Sequence, residues 1–142
     1  MQLQTLTAYL RHTVETAPDQ GIYYVHDNGS IEKQTYDELL REALALACGF
    51  MNDGKLPGEK VIIATLTNRQ TITSLWGCFL AGLVPTILTT PLSLNDKSQA
   101  AEKMLNVYEN LDHPIIIISK PFASNGMLPE SDFRLFDQLT RA

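Results

Sequence analysis

Three short apolar runs without polar alternation punctuate this sequence between residues 61 and 118: Val61-Ile62-Ile63-Ala64, Val84-Pro85-Thr86-Ile87-Leu88 and the four consecutive isoleucines at 115–118. Runs of this length and β-branched content suit strands covered on both faces. Each pair of runs is separated by a stretch with helical spacing of apolar residues. Strand, helix and strand in that alternation imply crossover units and a mostly parallel sheet. Pro85 cannot donate to a ladder, which confines its strand to an edge or its beginning. The class is α/β, a mostly parallel sheet with flanking helices.

Before the first run the pattern differs. Leu3, Leu6, Leu10, Val14 and Ala17 form one stripe on a helix that ends at Pro18. Ile22-Tyr23-Tyr24-Val25 and residues 31–34 flank Asn28-Gly29, which predicts a β-hairpin closed by a tight two-residue turn. Thr35-Tyr36-Asp37-Glu38 reads as a capping box, with Leu39, Leu40, Ala43, Leu44, Ala47 and Phe50 or Met51 as the buried side of its helix and Gly54 as its end. Leu56-Pro57-Gly58-Glu59 is a turn. Thr67 or Asn68 caps a helix whose Ile72, Leu75, Trp76, Phe79, Leu80 and Leu83 cover more than half its circumference, so deep burial is expected; Gly82 closes it. Ser93-Leu94-Asn95-Asp96 starts another helix, broken by Asp112-His113-Pro114. After a loop around Ser124-Asn125-Gly126 and Pro129, the residues Phe133, Phe136 and Leu139 predict a short last helix.

With 142 residues and 44% hydrophobic side chains, one domain with one core is expected, with no internal boundary. The net charge of −5 and singly scattered cations (Arg11, Lys33, Arg41, Lys55, Lys60, Arg69) argue against a nucleic-acid partner. The start of the chain has no leader pattern and no apolar run approaches the ~20 residues of a membrane span, so a cytoplasmic location and no membrane span are expected. Cys48 and Cys78 both fall in apolar helical stretches and read as buried structural thiols.

The sequence offers little chemistry. Gly54, Lys55, Gly58 and Lys60 fit no phosphate loop, and His12, His26 and His113 have no partner at metal-ligand spacing. Asp37 and Glu38 are neighbours on a helix and point apart, and Glu38 has a capping task. Ser30, Ser74, Ser93 and Ser119 lack the glycine-flanked elbow of a hydrolase nucleophile. No catalytic, cofactor-binding or metal-ligating residue is assigned. Asn68-Arg69-Gln70, at the turn after the first buried run, is the place where a parallel sheet would meet a ligand; a simple helix cap is the favoured explanation.

The order of motifs resembles the beginning of the adenylate-forming enzymes, the superfamily of acyl-CoA synthetases, fatty-acyl-AMP ligases and nonribosomal peptide adenylation domains. Thr35-Tyr36-Asp37-Glu38-Leu39 is similar to the family's (T/S)-Y-x-E-L, and Gly58-Glu59-Lys60-Val61-Ile62-Ile63 to G-D-x-V-x-I. Asn68 matches the asparagine that opens the following helix, and Leu80-Ala81-Gly82-Leu83-Val84-Pro85 resembles L-x-A-G-x-x-x-V-P. Ile87-Leu88-Thr89-Thr90-Pro91-Leu92 departs from the family's usual ending and, with the next helix, resembles an acyl-ligase branch that loads a carrier-protein phosphopantetheine.

The resemblance implies an incomplete N-terminal subdomain spanning residues 1–142 of an AMP-forming acid ligase. The family's phosphate loop, magnesium acid, ribose aspartate and late lysine lie past the matched stretch. ATP and Mg are therefore expected of the full-length parent and no cofactor of this chain, which would be inactive alone. Its partners would be the remainder of the enzyme and an acyl carrier protein, and residues from Asn68 to Phe79 would contribute a tunnel wall. The alternatives are a free-standing interaction module that pairs with a separate ligase or carrier-protein chain, or an unrelated small α/β protein.

Overall fold

The computed structural model describes residues 4–91, 94, 98–121 and 126–141. Its first helix, Leu6–Thr16 (α1), is capped by Thr5, whose hydroxyl accepts from Ala8 N–H at 3.1 Å. Only Leu10 of the predicted stripe is buried; Leu6 is exposed and Leu3 lies outside the described residues. Strands Gly21–Val25 (β1) and Ile31–Thr35 (β2) form an antiparallel hairpin that, among the described residues, pairs with no other strand. Its turn is looser than a two-residue loop. Gly29 N–H bonds His26 O, Asn28 Oδ1 accepts from Ser30 N–H, and only Gly29 takes positive φ, +85°. The Asn28 side chain supplies the local bond that a second left-handed residue would have replaced.

Helix Tyr36–Asn52 (α2) opens with the predicted capping box. Thr35 Oγ1 accepts from Glu38 N–H at 3.0 Å and Glu38 Oε1 from Thr35 N–H at 3.1 Å. Its buried face is Leu39, Ala43, Leu46, Ala47, Gly49 and Phe50, whereas Leu44 and Met51 are exposed. Leu46, two residues on, takes the inward place expected of Leu44, and of the alternatives Phe50 and Met51 it is Phe50 that is buried. Cys48 also faces outward, against expectation, while Cys78 is buried.

The strands Lys60–Ala64 (β3), Val84–Ile87 (β4), Ile115–Ile118 (β5) and Phe133–Leu135 (β6) make one parallel sheet in the order β4-β3-β5-β6. β4 with Pro85 is at the edge, as a residue without an N–H requires. Phe133, predicted in a helix, is in β6; the last helix is the shorter Phe136–Thr140 (α5). Between the strands run Asn68–Ala81 (α3), capped by Thr67 and closed by Gly82 at φ +75°, and Gln99–Asn110 (α4). Ser98 caps α4, so the helix starts later than Ser93-Leu94-Asn95-Asp96; of those four only Leu94 is among the described residues.

Alternate residues of the central strands divide the interior into two clusters rather than one core. Val61, Ile63, Ile115 and Ile117 pack with Leu46 and Phe50 of α2, Cys78 of α3 and Leu139 of α5. Ile62, Ala64, Ile116 and Ile118 pack with Met104 and Tyr108 of α4 and with Leu94 and Leu128. Each buried isoleucine removes apolar surface worth about 1.5–3 kcal/mol from water, and both faces of β3 and β5 contribute. The expected deep burial of α3 is only half right. Its fully buried residues are Thr73, Ser74, Gly77 and Cys78, the small ones that let α2 approach, whereas Ile72, Leu75, Trp76, Phe79 and Leu80 are half-buried. Among the described residues no helix is long and apolar enough to cross a membrane.

Candidate functional site

In an open parallel sheet, ligands bind beyond the carboxyl ends of the strands. Here that rim is knitted by short polar side chains. The Ser119 hydroxyl, at the exit of β5, accepts from Leu66 N–H at 2.7 Å and donates to Gln70 Oε1. Thr90, past β4, donates to Ala64 O at 2.6 Å, and Thr65 and Thr71 share a hydroxyl bond of 2.6 Å. These bonds hold the exits of three strands and the first turn of α3 together.

The predicted triplet Asn68-Arg69-Gln70 is split by the fold. Thr67 is the cap, its Oγ1 accepting from Gln70 N–H at 3.2 Å, and Asn68 is exposed on the first turn. Gln70 turns toward β5. Arg69 turns away from the rim toward the hairpin and α2. Its Nη1 donates to Glu32 of β2 at 2.7 Å and its Nη2 to Glu42 of α2 at 2.7 Å, with Glu38 at 3.5 Å. Beneath it, fully buried Gln34 accepts from the Tyr24 hydroxyl at 2.6 Å and donates to Glu42 at 2.5 Å and to Thr73 at 3.0 Å. This network joins residues far apart in sequence, so nothing in local spacing announces it; the scattered cations conceal a three-carboxylate hub.

Burial works against the Arg69 charge, but its hydrogen bonds with Glu42 and Glu32 outweigh that and hold its pKa above the ordinary arginine value. The Arg69 bond lowers Glu32, and the Thr35 backbone bond, before Arg69, lowers Glu38. Burial pushes the Tyr24 phenol up to about 12. Because both carboxylates titrate lower folded than unfolded, their contribution to stability is complete above the ordinary value of 4.5 and is lost as pH falls through their depressed values. A urea midpoint that is level above about pH 5 and declines below about pH 4 is the expected result. A midpoint flat through that range contradicts the network.

A second polar group lies at the opposite, amino end of β5. His113 stacks on Tyr108 at 4.6 Å and bonds Glu109 at 3.0 Å, which raises its pKa, and the Tyr108 hydroxyl bonds Asp132. Asp112 and His113 both take φ +61°, a conformation that Asp and His tolerate at a helix end. The adjoining cavity is about 520 Å³ and opens between Glu109, Met127 and Glu130. Ser74 Oγ is buried with no hydrogen-bond partner among the described residues, and burial pushes the Cys78 thiol up to about 12.

None of this suits ATP. The cation on the first turn of α3 is engaged by carboxylates, the rim hydroxyls are bonded to one another or to Leu66, Gln70 and Ala64, and among the described residues no three His, Cys, Asp or Glu side chains are placed to hold a metal ion. No step of a nucleotide reaction is assigned to these residues.

No protein-family model matches the chain. Solved structures do. The McyG A-PCP complexed with phenylalanyl-adenylate is matched over 100% of this chain and 27% of its own, at 26% identity and a TM-score of 0.85. The adenylation domain of a keto acid-selecting NRPS module, bound to keto acyl adenylate, is matched over 99% of this chain and 26% of its own, at 20% identity and 0.80. A fatty acid AMP ligase from Legionella pneumophila is matched over 99% and 25%, at 19% identity and 0.81. The chain therefore spans about a quarter of the length of these structures.

Proposed function

We propose that this chain, which has the fold of a partial adenylate-forming domain over its whole length, is the N-terminal subdomain of an ATP-dependent ligase that activates a carboxylic acid as its acyl adenylate. The reading includes a place in the loading domain of a polyketide or nonribosomal peptide synthase, in the cytoplasm, and inactivity of the chain by itself. The observation that carries it is the match to the McyG structure, complete for this chain and about a quarter of the other.

The chain's own part is scaffolding. β3 and β5, covered on both faces, form a rigid interior, and the hydroxyl-bonded rim fixes where α3 begins. The half-buried Trp76 and Phe79, packed edge to face at 5.6 Å, and the open edge of β4 supply surface for the remainder of the enzyme. ATP and magnesium belong to that remainder, and an acyl carrier protein is the acceptor. The same half-buried helix face suits the alternative, a module that pairs with a separate ligase or carrier chain. ATP–pyrophosphate exchange with a panel of carboxylic acids tests the proposal: no acid-dependent exchange is expected from this chain alone, and turnover would overturn its inactivity. Light scattering separates the alternative, which requires a stable complex with a separate chain.

A further inference from the structure

The β1–β2 hairpin has no strand partner in the four-stranded sheet, and a two-stranded hairpin has little stability by itself. Its outward residues Tyr23, Val25 and Ile31 are exposed, so it gains little from burying that face. What holds its inward face is largely polar. Tyr24 and Gln34 bond each other and reach α2 and α3 through Glu42 and Thr73, and Arg69 spans from Glu32 on the hairpin to Glu42 on α2. Between the hairpin and the turn after β3 is a cleft of about 190 Å³, walled by Tyr24, His26 and Glu32 on one side and Leu66, Asn68 and Arg69 on the other.

We propose that the β1–β2 hairpin is a flap that opens as a unit away from the carboxyl rim of the sheet, and that Arg69 is its latch. A planar guanidinium with two forked carboxylate bonds holds a defined geometry while attached. Opening trades those bonds, and the bonds of buried Gln34 to Glu42 and Thr73, for hydration of the same polar groups and leaves the two apolar clusters closed, because no hairpin residue belongs to either cluster. An apolar docking face would have made opening inseparable from unfolding. The flap sets the width of the cleft beside Arg69; Leu66, Thr67 and Asn68 on the far wall are exposed already. The inference rests on this geometry and stands independently of the ligase reading.

Hydrogen exchange read by mass spectrometry at neutral pH tests it, comparing residues 21–35 with 61–64 and 115–118. Arg69→Leu removes the latch. Glu32→Gln weakens the hairpin side of the latch, together with the Glu32 bond to His26 inside the hairpin, and leaves Arg69 paired with Glu42, which keeps the test available if the first variant does not fold; His26→Ala removes the internal bond alone and is expected to leave hairpin exchange unchanged. Arg69→Leu and Glu32→Gln are both expected to exchange about tenfold faster in the hairpin with the central strands unchanged, as local opening requires. Unchanged hairpin exchange in Glu32→Gln, or an equal rise in hairpin and central strands, overturns the flap.

Discussion

Phe50→Ala is expected to destabilise the chain by about 3–5 kcal/mol, the range for emptying a packed aromatic site. Phe50 is fully buried on α2, among Leu46, Val61, Ile63, Ile117 and Leu139, and so touches the sheet and α5 at once. The void has little freedom to collapse. α2 is pinned to α3 where Gly77 leaves room for Leu46, and to α5 where Gly49 meets Leu139. A fall in melting temperature of roughly 10–17 °C corresponds to that loss for a chain of this size. Urea unfolding with an unchanged slope and a lower midpoint is the check; a loss below about 1 kcal/mol would mean that the cluster is not closed around this ring.

Gly49→Ala should cost about 1–3 kcal/mol through a different cause, overpacking. A Cβ built on Gly49 lies 2.1 Å from Leu139 O and 2.8 Å from Leu139 C, both backbone atoms that no rotamer change can move. α5 must shift away as a body. The preceding strand β6 is tied to β5 by parallel pairing and to the end of α2 by Arg134 Nε donating to Asp53 at 2.9 Å. Loss of exchange protection is therefore expected at residues 136–140, with β3 and β5 unaffected. An alanine variant with the original midpoint would contradict the close approach of α2 and α5.

These two sites also show what the sequence carried. The buried strands were legible because β-branched runs without alternation suit one environment, and the start of α2 because a capping box is a bond between residues three apart. Pro85 placed its strand at an edge for a reason internal to one residue. β6 was hidden: Phe133-Arg134-Leu135 is a strand only because β5 offers a free side. The inward face of α3 was misjudged because Thr73, Ser74 and Gly77 are chosen by the proximity of α2 rather than by hydrophobicity. For Asn68-Arg69-Gln70 the sequence showed a helix start, which Thr67 caps, and no partner for Arg69, which finds Glu32 and Glu42 only once hairpin and helices are assembled. The resemblance to adenylate-forming enzymes rested on motif order, and the fold agrees with it along the whole chain.

That this chain serves as the scaffold quarter of an acid-activating ligase is tested most directly by ATP–pyrophosphate exchange in a fusion. This chain would replace the segment that it matches in the McyG adenylation domain, beside the same domain with that segment deleted. Acid-dependent exchange from the fusion and none from the deletion or from this chain alone is the expected result. A folded fusion without exchange, or exchange by this chain alone, would contradict it.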